Sequence, residues 1–172
     1  MSNFLPFFLA ILPIFAVIAA VHDLTTMKIP NWVSGALIVA FFPAAFALGL
    51  PLSGVGVGVS VGLAIAALVV GMGMFAANWI GGGDAKLLTA SMLWMGVSGA
   101  LPFILYTALA GGGFCLLLMT ARSHLPFFAQ SGPGWVMRLM QPKGDIPYGV
   151  AIAIGALLAY PESPLMAAFI AG

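Results

Sequence analysis

Thirty-five consecutive residues, Leu87 to Ala121, carry no charged side chain. A bilayer core about 30 Å thick is crossed by about 20 apolar residues, so this stretch is too long for one crossing and fits two. The same scarcity runs through the chain. Of its 172 residues 63% are hydrophobic and 5% charged, where soluble domains hold about 45–50% and about 25%. The mean hydropathy of +1.18 agrees. Such a chain cannot cover a soluble surface, and it reads as an all-α integral membrane protein. A soluble enzyme, a disordered segment, a coiled coil and a disulfide-stapled secreted domain are excluded. A net charge of +1 offers no basic surface to nucleic acid. The single cysteine, Cys115, excludes a disulfide within the chain and any four-cysteine zinc module.

The charged residues are Asp23, Lys28, Asp84, Lys86, Arg122, Arg138, Lys143, Asp145 and Glu162, and they divide the chain into spans. Phe4 to Val21 is an apolar run without a basic segment before it or a small-residue cleavage site near its end, so a retained first helix is expected. Trp32 to Leu50 forms the second, with Pro51 and Ser53 marking a turn, and Gly54 to Ala77 the third. The stretch after Lys86 splits near Gly96-Val97-Ser98-Gly99 and Pro102, with a short fourth helix starting at Asp84. The last span runs from about Ile146 to Tyr160 and ends at Pro161-Glu162-Ser163-Pro164. An interfacial tail follows from Pro164. Six spans in one transmembrane domain, residues 1–172, are expected.

In the third span, Gly54, Gly58 and Gly62 fall four apart and suggest a smooth packing stripe. Six spans put the loops 22–31, 78–86 and 122–145 on one side, and these hold all five Lys and Arg residues. The positive-inside rule makes that side cytoplasmic and puts both termini outside. The 122–145 loop mixes Phe127, Phe128, Trp135 and Met137 with Arg138 and Lys143, as a segment lying along the interface would.

Ionisable residues at membrane depth are costly and point to function. Asp23 closes the first span and Asp84 follows Gly81-Gly82-Gly83, so both lie at the cytoplasmic ends of their spans. Two carboxylates held close share one proton. The ionised member can activate water while the protonated one polarises a carbonyl and later protonates the leaving amine, which is what peptide hydrolysis requires. The three glycines leave room for an extended peptide, and the start of helix four favours a negative Asp84. Taken singly, each aspartate is more often a helix cap or an interfacial ion pair, here with Lys28 for Asp23. His22 and His124 have no partners at metal-ligand spacing. Lys143 and Asp145 mark where the last span enters the membrane.

Two segments carry the reading further: Asp23-Leu24-Thr25-Thr26-Met27-Lys28-Ile29-Pro30-Asn31-Trp32 and Gly81-Gly82-Gly83-Asp84-Ala85-Lys86-Leu87-Leu88. Together they resemble the type IV prepilin peptidases, intramembrane aspartic proteases with an Asp in an Asp-x-x-x-x-x-Ile-Pro-Asn motif and another in Gly-x-Gly-Asp. Ile146-Pro147-Tyr148-Gly149-Val150-Ala151-Ile152-Ala153 also looks like that family's last helix. The resemblance implies that Asp23 and Asp84 are the catalytic pair. Gly81 and Gly83 would be the motif glycines flanking Gly82 in the active-site loop, and Lys86 would have a supporting role. Larger members carry a cytoplasmic insertion, often with paired cysteines for zinc, and N-methylate the new amino terminus. Here only Thr25 to Pro30 separates Asp23 from helix two. The chain therefore looks like the short, peptidase-only form of tight-adherence (Flp-type) pilus systems, without a methyltransferase or zinc domain.

The implied activity is removal of the leader from a prepilin or pseudopilin at the cytoplasmic face of a bacterial inner membrane, after a glycine, with no metal or organic cofactor. The implied partners are that substrate, the lipid bilayer and pilus or secretion assembly machinery. Two rivals read the same residues differently. A proton- or ion-coupled transporter component would use the aspartates as a relay, although neither lies mid-span. The other is a non-catalytic subunit of a secretion assembly, which composition alone does not exclude.

Overall fold

The computed structural model describes residues 5–51, 56–125, 127, 132–142 and 144–171, and every regular element among them is helical. In chain order these are α1 (Leu5–Thr26), α2 (Asn31–Ala47), α3 (Val57–Ala76), α4 (Gly82–His124), α5 (Gly134–Leu139), α6 (Tyr148–Ala159) and α7 (Pro164–Ala171). A 3-10 turn, Tyr160–Glu162, joins the last two. Helices close their backbone hydrogen bonds internally, which a lipid environment demands. Proline sets several starts: Pro30, Pro133 and Pro147 immediately precede α2, α5 and α6. There the missing N–H removes no helical bond.

At 43 residues α4 is twice the length of a crossing, and Gly96 divides it. Its φ of 55° and ψ of −158° are open to glycine and strained for other residues. The chain reverses there. The first arm, 82–95, descends from Asp84 to Gly96, which abuts Pro164 of α7 and Ser60 of α3. The second arm returns along α6, so that Gly99 lies beside Ala159, Thr107 beside Gly155 and Gly111 beside Ala151. The expected break near 96–99 therefore stands at Gly96. The architecture is that of an all-α membrane protein. Among the described residues, four helical stretches are long and apolar enough to cross a bilayer: Pro6–Thr26, Val57–Ala76, Gly82–His124 and Tyr148–Ala171. α2 is shorter, at 17 residues. Counting both arms of α4 recovers the six expected segments.

The core lies where α4 packs on α6, α3 and α2. Trp94, fully buried on the first arm, donates from Nε1 to the Leu37 carbonyl of α2 at 2.9 Å. Its ring meets Phe41 edge to face at 5.9 Å. A buried indole needs such a partner for its N–H, and the bond pins α2 against α4 in one register.

Two expectations are corrected here. The glycine stripe does not pack: Gly58 and Gly62 are exposed, and a side chain on Gly62 would meet nothing within 4 Å. The buried face of α3 is Ser60, Ala64, Ala67 and Gly71, with Gly71 against Ala85 of α4. Periodicity marks which residues share a face but not which face a neighbour covers. Helix α1 also continues past Val21 to Thr26, because a charged residue ends an apolar run without ending backbone hydrogen bonding. Ser53, Gly54, Phe128 and Lys143 lie outside the described residues.

Candidate active site

Because α1 runs to Thr26, Asp23 sits on its last turn rather than at its end, 5% exposed. Met27 then turns into the left-handed region (φ 56°), its amide bonded to the Asp23 carbonyl at 2.8 Å. That turn stops the helix and sends Ile29 and Pro30 back across the site toward α2. The Asp23 carboxylate is held from another part of the chain. Gly149, in the first turn of α6, donates its backbone N–H to Asp23 Oδ2 at 2.7 Å.

Asp84 enters at the start of α4, 8% exposed. Gly81 donates its N–H to Asp84 Oδ2 at 3.0 Å, so the carboxylate caps the helix as one of the plain readings expected. The same carboxylate faces Asp23 and the Gly149 amide. Both aspartates line two adjoining cavities of about 300 and 310 Å³. The first is walled by Met27, Asn78, Trp79 and the 145–148 segment, the second by Lys28, Ile29 and Gly81 to Gly83. Asn78, like Met27, has a positive φ (58°), so both non-glycine residues in the left-handed region among those described border the same cleft. A third cavity of about 510 Å³ between α3, α4 and α6 is almost wholly apolar and reaches Asp84 at one end.

The three glycines do not leave equal space. A Cβ on Gly83 would come within 3.1 Å of Ile29 Cβ, and one on Gly82 within 3.5 Å of the Phe75 ring. The room at Gly83 is thus taken by Ile29 of the same chain. Gly149 grips that side chain from the other side, since a Cβ there would stand 2.7 Å from Ile29 Cδ1 and 2.8 Å from Asp23 Oδ2. Ile29 is thus wedged between Gly83 of α4, next to Asp84, and Gly149 of α6, whose amide holds Asp23.

Lys86 reaches across to α2, donating from Nζ to Asn31 Oδ1 at 2.9 Å. It joins the two motifs directly. Lys28 is exposed and makes no ion pair with Asp23. His22 bonds Thr26 on its own helix through Nδ1 at 3.3 Å. Among the described residues no group of three His, Cys, Asp or Glu side chains comes together to hold a metal. Gly149, Ile29 and Asn31 lie within the motif segments, but the pattern by itself assigns them no role. The one local signal for Gly149 was a glycine directly after Pro-Tyr at a helix start.

These observations put two buried carboxylates, each from a separate motif, against shared cavities at one end of a membrane helix bundle. A family model for the type IV leader peptidase family matches residues 10–116. The chain belongs to that family. No curated protein and no solved structure matches the chain. The stretch matched to the leader peptidases holds both aspartates and Lys86. It stops short of α6, and therefore of the amide that holds Asp23.

Proposed function

We propose that this leader peptidase family member is an intramembrane aspartic endopeptidase that removes the leader from prepilin-like or pseudopilin precursors. The observation that carries the reading is the pair itself, Asp23 and Asp84, both buried and both facing the same cavities. The ionised carboxylate takes a proton from water as the oxygen attacks the scissile carbonyl, whose oxygen accepts a hydrogen bond from the protonated carboxyl. Collapse of the tetrahedral intermediate breaks the C–N bond, and the amine leaves with a proton from the pair. Water is the nucleophile, and neither a covalent intermediate nor a cofactor is needed. Cleavage after a glycine, which brings no side chain, suits a site where Ile29 already fills the space beside Gly83.

The described basic residues Lys28, Lys86, Arg122 and Arg138 all gather at the aspartate end, which supports a cytoplasmic placement of the site in a bacterial inner membrane. The short connection from Asp23 to α2 supports the peptidase-only, tight-adherence subtype.

The test is co-expression with a candidate prepilin, following loss of the leader on a gel. Asp23→Asn and Asp84→Asn keep shape and remove acid–base function. Each should slow processing by at least about a hundredfold, the low end of what general acid–base catalysis contributes. Processing at the wild-type rate by either variant refutes the mechanism.

A further inference from the structure

Arg122 was expected as an interfacial charge that reports orientation. It has a more specific position. On the last turns of α4, its guanidinium donates to three backbone carbonyls: Nε to Leu139 at 2.9 Å, one terminal nitrogen to Gly144 at 2.9 Å, and the other to Asp145 at 2.9 Å. Gly144 packs against this group, and a Cβ there would stand 3.3 Å from the guanidinium and 3.0 Å from the Arg138 carbonyl. All three nitrogens are thus spent on the segment that leads from α5 into α6.

That segment has two jobs in the site. Residues 145–148 wall the cleft beside the aspartates. Gly149, immediately after, donates to Asp23 Oδ2. The other end of the segment is tied as well: Arg138 of α5 donates to the Thr25 carbonyl at 2.8 Å, two residues beyond Asp23. Asp145 lies alongside, yet Arg122 takes its carbonyl rather than its carboxylate. Charge neutralisation is therefore not what the contact achieves. A planar guanidinium fork fixes three acceptors in one geometry, which a lysine ammonium on a flexible stem cannot do.

We propose that Arg122 is a positioning residue for hydrolysis, holding the Leu139, Gly144 and Asp145 carbonyls so that the Gly149 amide stays on Asp23 Oδ2. It touches neither carboxylate and acts through the segment it grips. The inference takes the aspartic-peptidase reading as its setting, but its physical core, the link from Arg122 to the Gly149–Asp23 hydrogen bond, can be measured without any substrate.

Tyr148-Gly149 is the single Tyr-Gly step in the sequence. Labelling the full chain in detergent with carbonyl-13C tyrosine and 15N glycine therefore isolates one amide resonance. In the wild type that proton should resonate downfield, and Asp23→Asn should move it upfield. Arg122→Gln should move it the same way and lower kcat for leader removal at least tenfold, with KM changed less than threefold. Arg122→Lys, which keeps the charge and loses the fork, should fail to restore either readout. It also serves as the second variant if the glutamine form does not fold. A Gly149 amide unmoved in both variants, or a moved amide with wild-type kcat, overturns the proposal. Retained processing by Asp23→Asn would instead overturn the catalytic reading, whatever the amide does.

Discussion

At the end of the bundle that holds Asp23 and Asp84, glycines bring functional atoms together; at the opposite end, Gly96 brings together only packing atoms. Gly83 and Gly149 admit Ile29 between them, and Gly149 reaches the Asp23 carboxylate. Gly96 admits Pro164 and approaches Ser60, whose buried hydroxyl has no hydrogen-bond partner. Both ends are close-packed through missing side chains. The difference is that the first end converts close approach into hydrogen bonds on a carboxylate, and the second converts it into a chain reversal. Gly62 of α3 faces open space and does neither. A glycine in a membrane helix thus acquires its role from what lies opposite it.

The sharpest way to break this contrast is Gly149→Ala. The new methyl would stand 2.8 Å from Asp23 Oδ2 and 3.1 Å from Asp23 Cβ, so the carboxylate must move off the amide. A displacement of that kind at a catalytic group costs about a hundredfold in rate. The initial rate of leader removal, compared with the detergent melting curve, checks it. A wild-type rate would show that the Gly149 contact only packs.

Gly96→Ala should act on the other axis. A side chain at φ 55° is strained and would press on Pro164, so a stability loss of about 1–3 kcal/mol is expected. The rate per folded molecule should stay within about twofold, as distant sites act independently. Denaturant titration paired with the processing assay measures both. If Gly96→Ala matches Gly149→Ala in lost activity at full folding, the two ends are mechanically coupled and the contrast fails.

Gly62→Ala is the smallest expected effect. With nothing within 4 Å to meet the methyl, the helix should be unchanged or up to ~1 kcal/mol more stable, with an unaltered rate. A clear loss in the melting curve would show that this face of α3 is covered in the membrane, by lipid packing or by a second chain.

The legibility of the fold varied by element. The break in the long apolar stretch was readable, because a stretch longer than one crossing must turn somewhere and Gly96 is the residue type that turns most easily. The placement of Asp23 and Asp84 at one end followed from charge positions alone. The end of α1 was not readable, because polarity reports membrane depth, whereas helix termination comes from the left-handed turn at Met27. The stripe on α3 was misjudged because a period does not identify the covered face. Within the loop read as a strip along the interface, Leu139, Gly144 and Asp145 are held by Arg122, and Arg138 bonds Thr25 beside the site; side-chain reach of that kind leaves no local pattern.

Scarcity of charge, by itself, determined that the chain lives in a membrane, that its helices have one charged end, and that few residues could carry chemistry. Those follow from transfer energies, which depend on composition and order along the chain. Only the tertiary structure decided that Gly149 holds Asp23 from 126 positions away, that Lys86 bonds Asn31, and that Ile29 fills the space beside Gly83. Each of those depends on which helix faces come into contact, and so on the packed bundle as a whole.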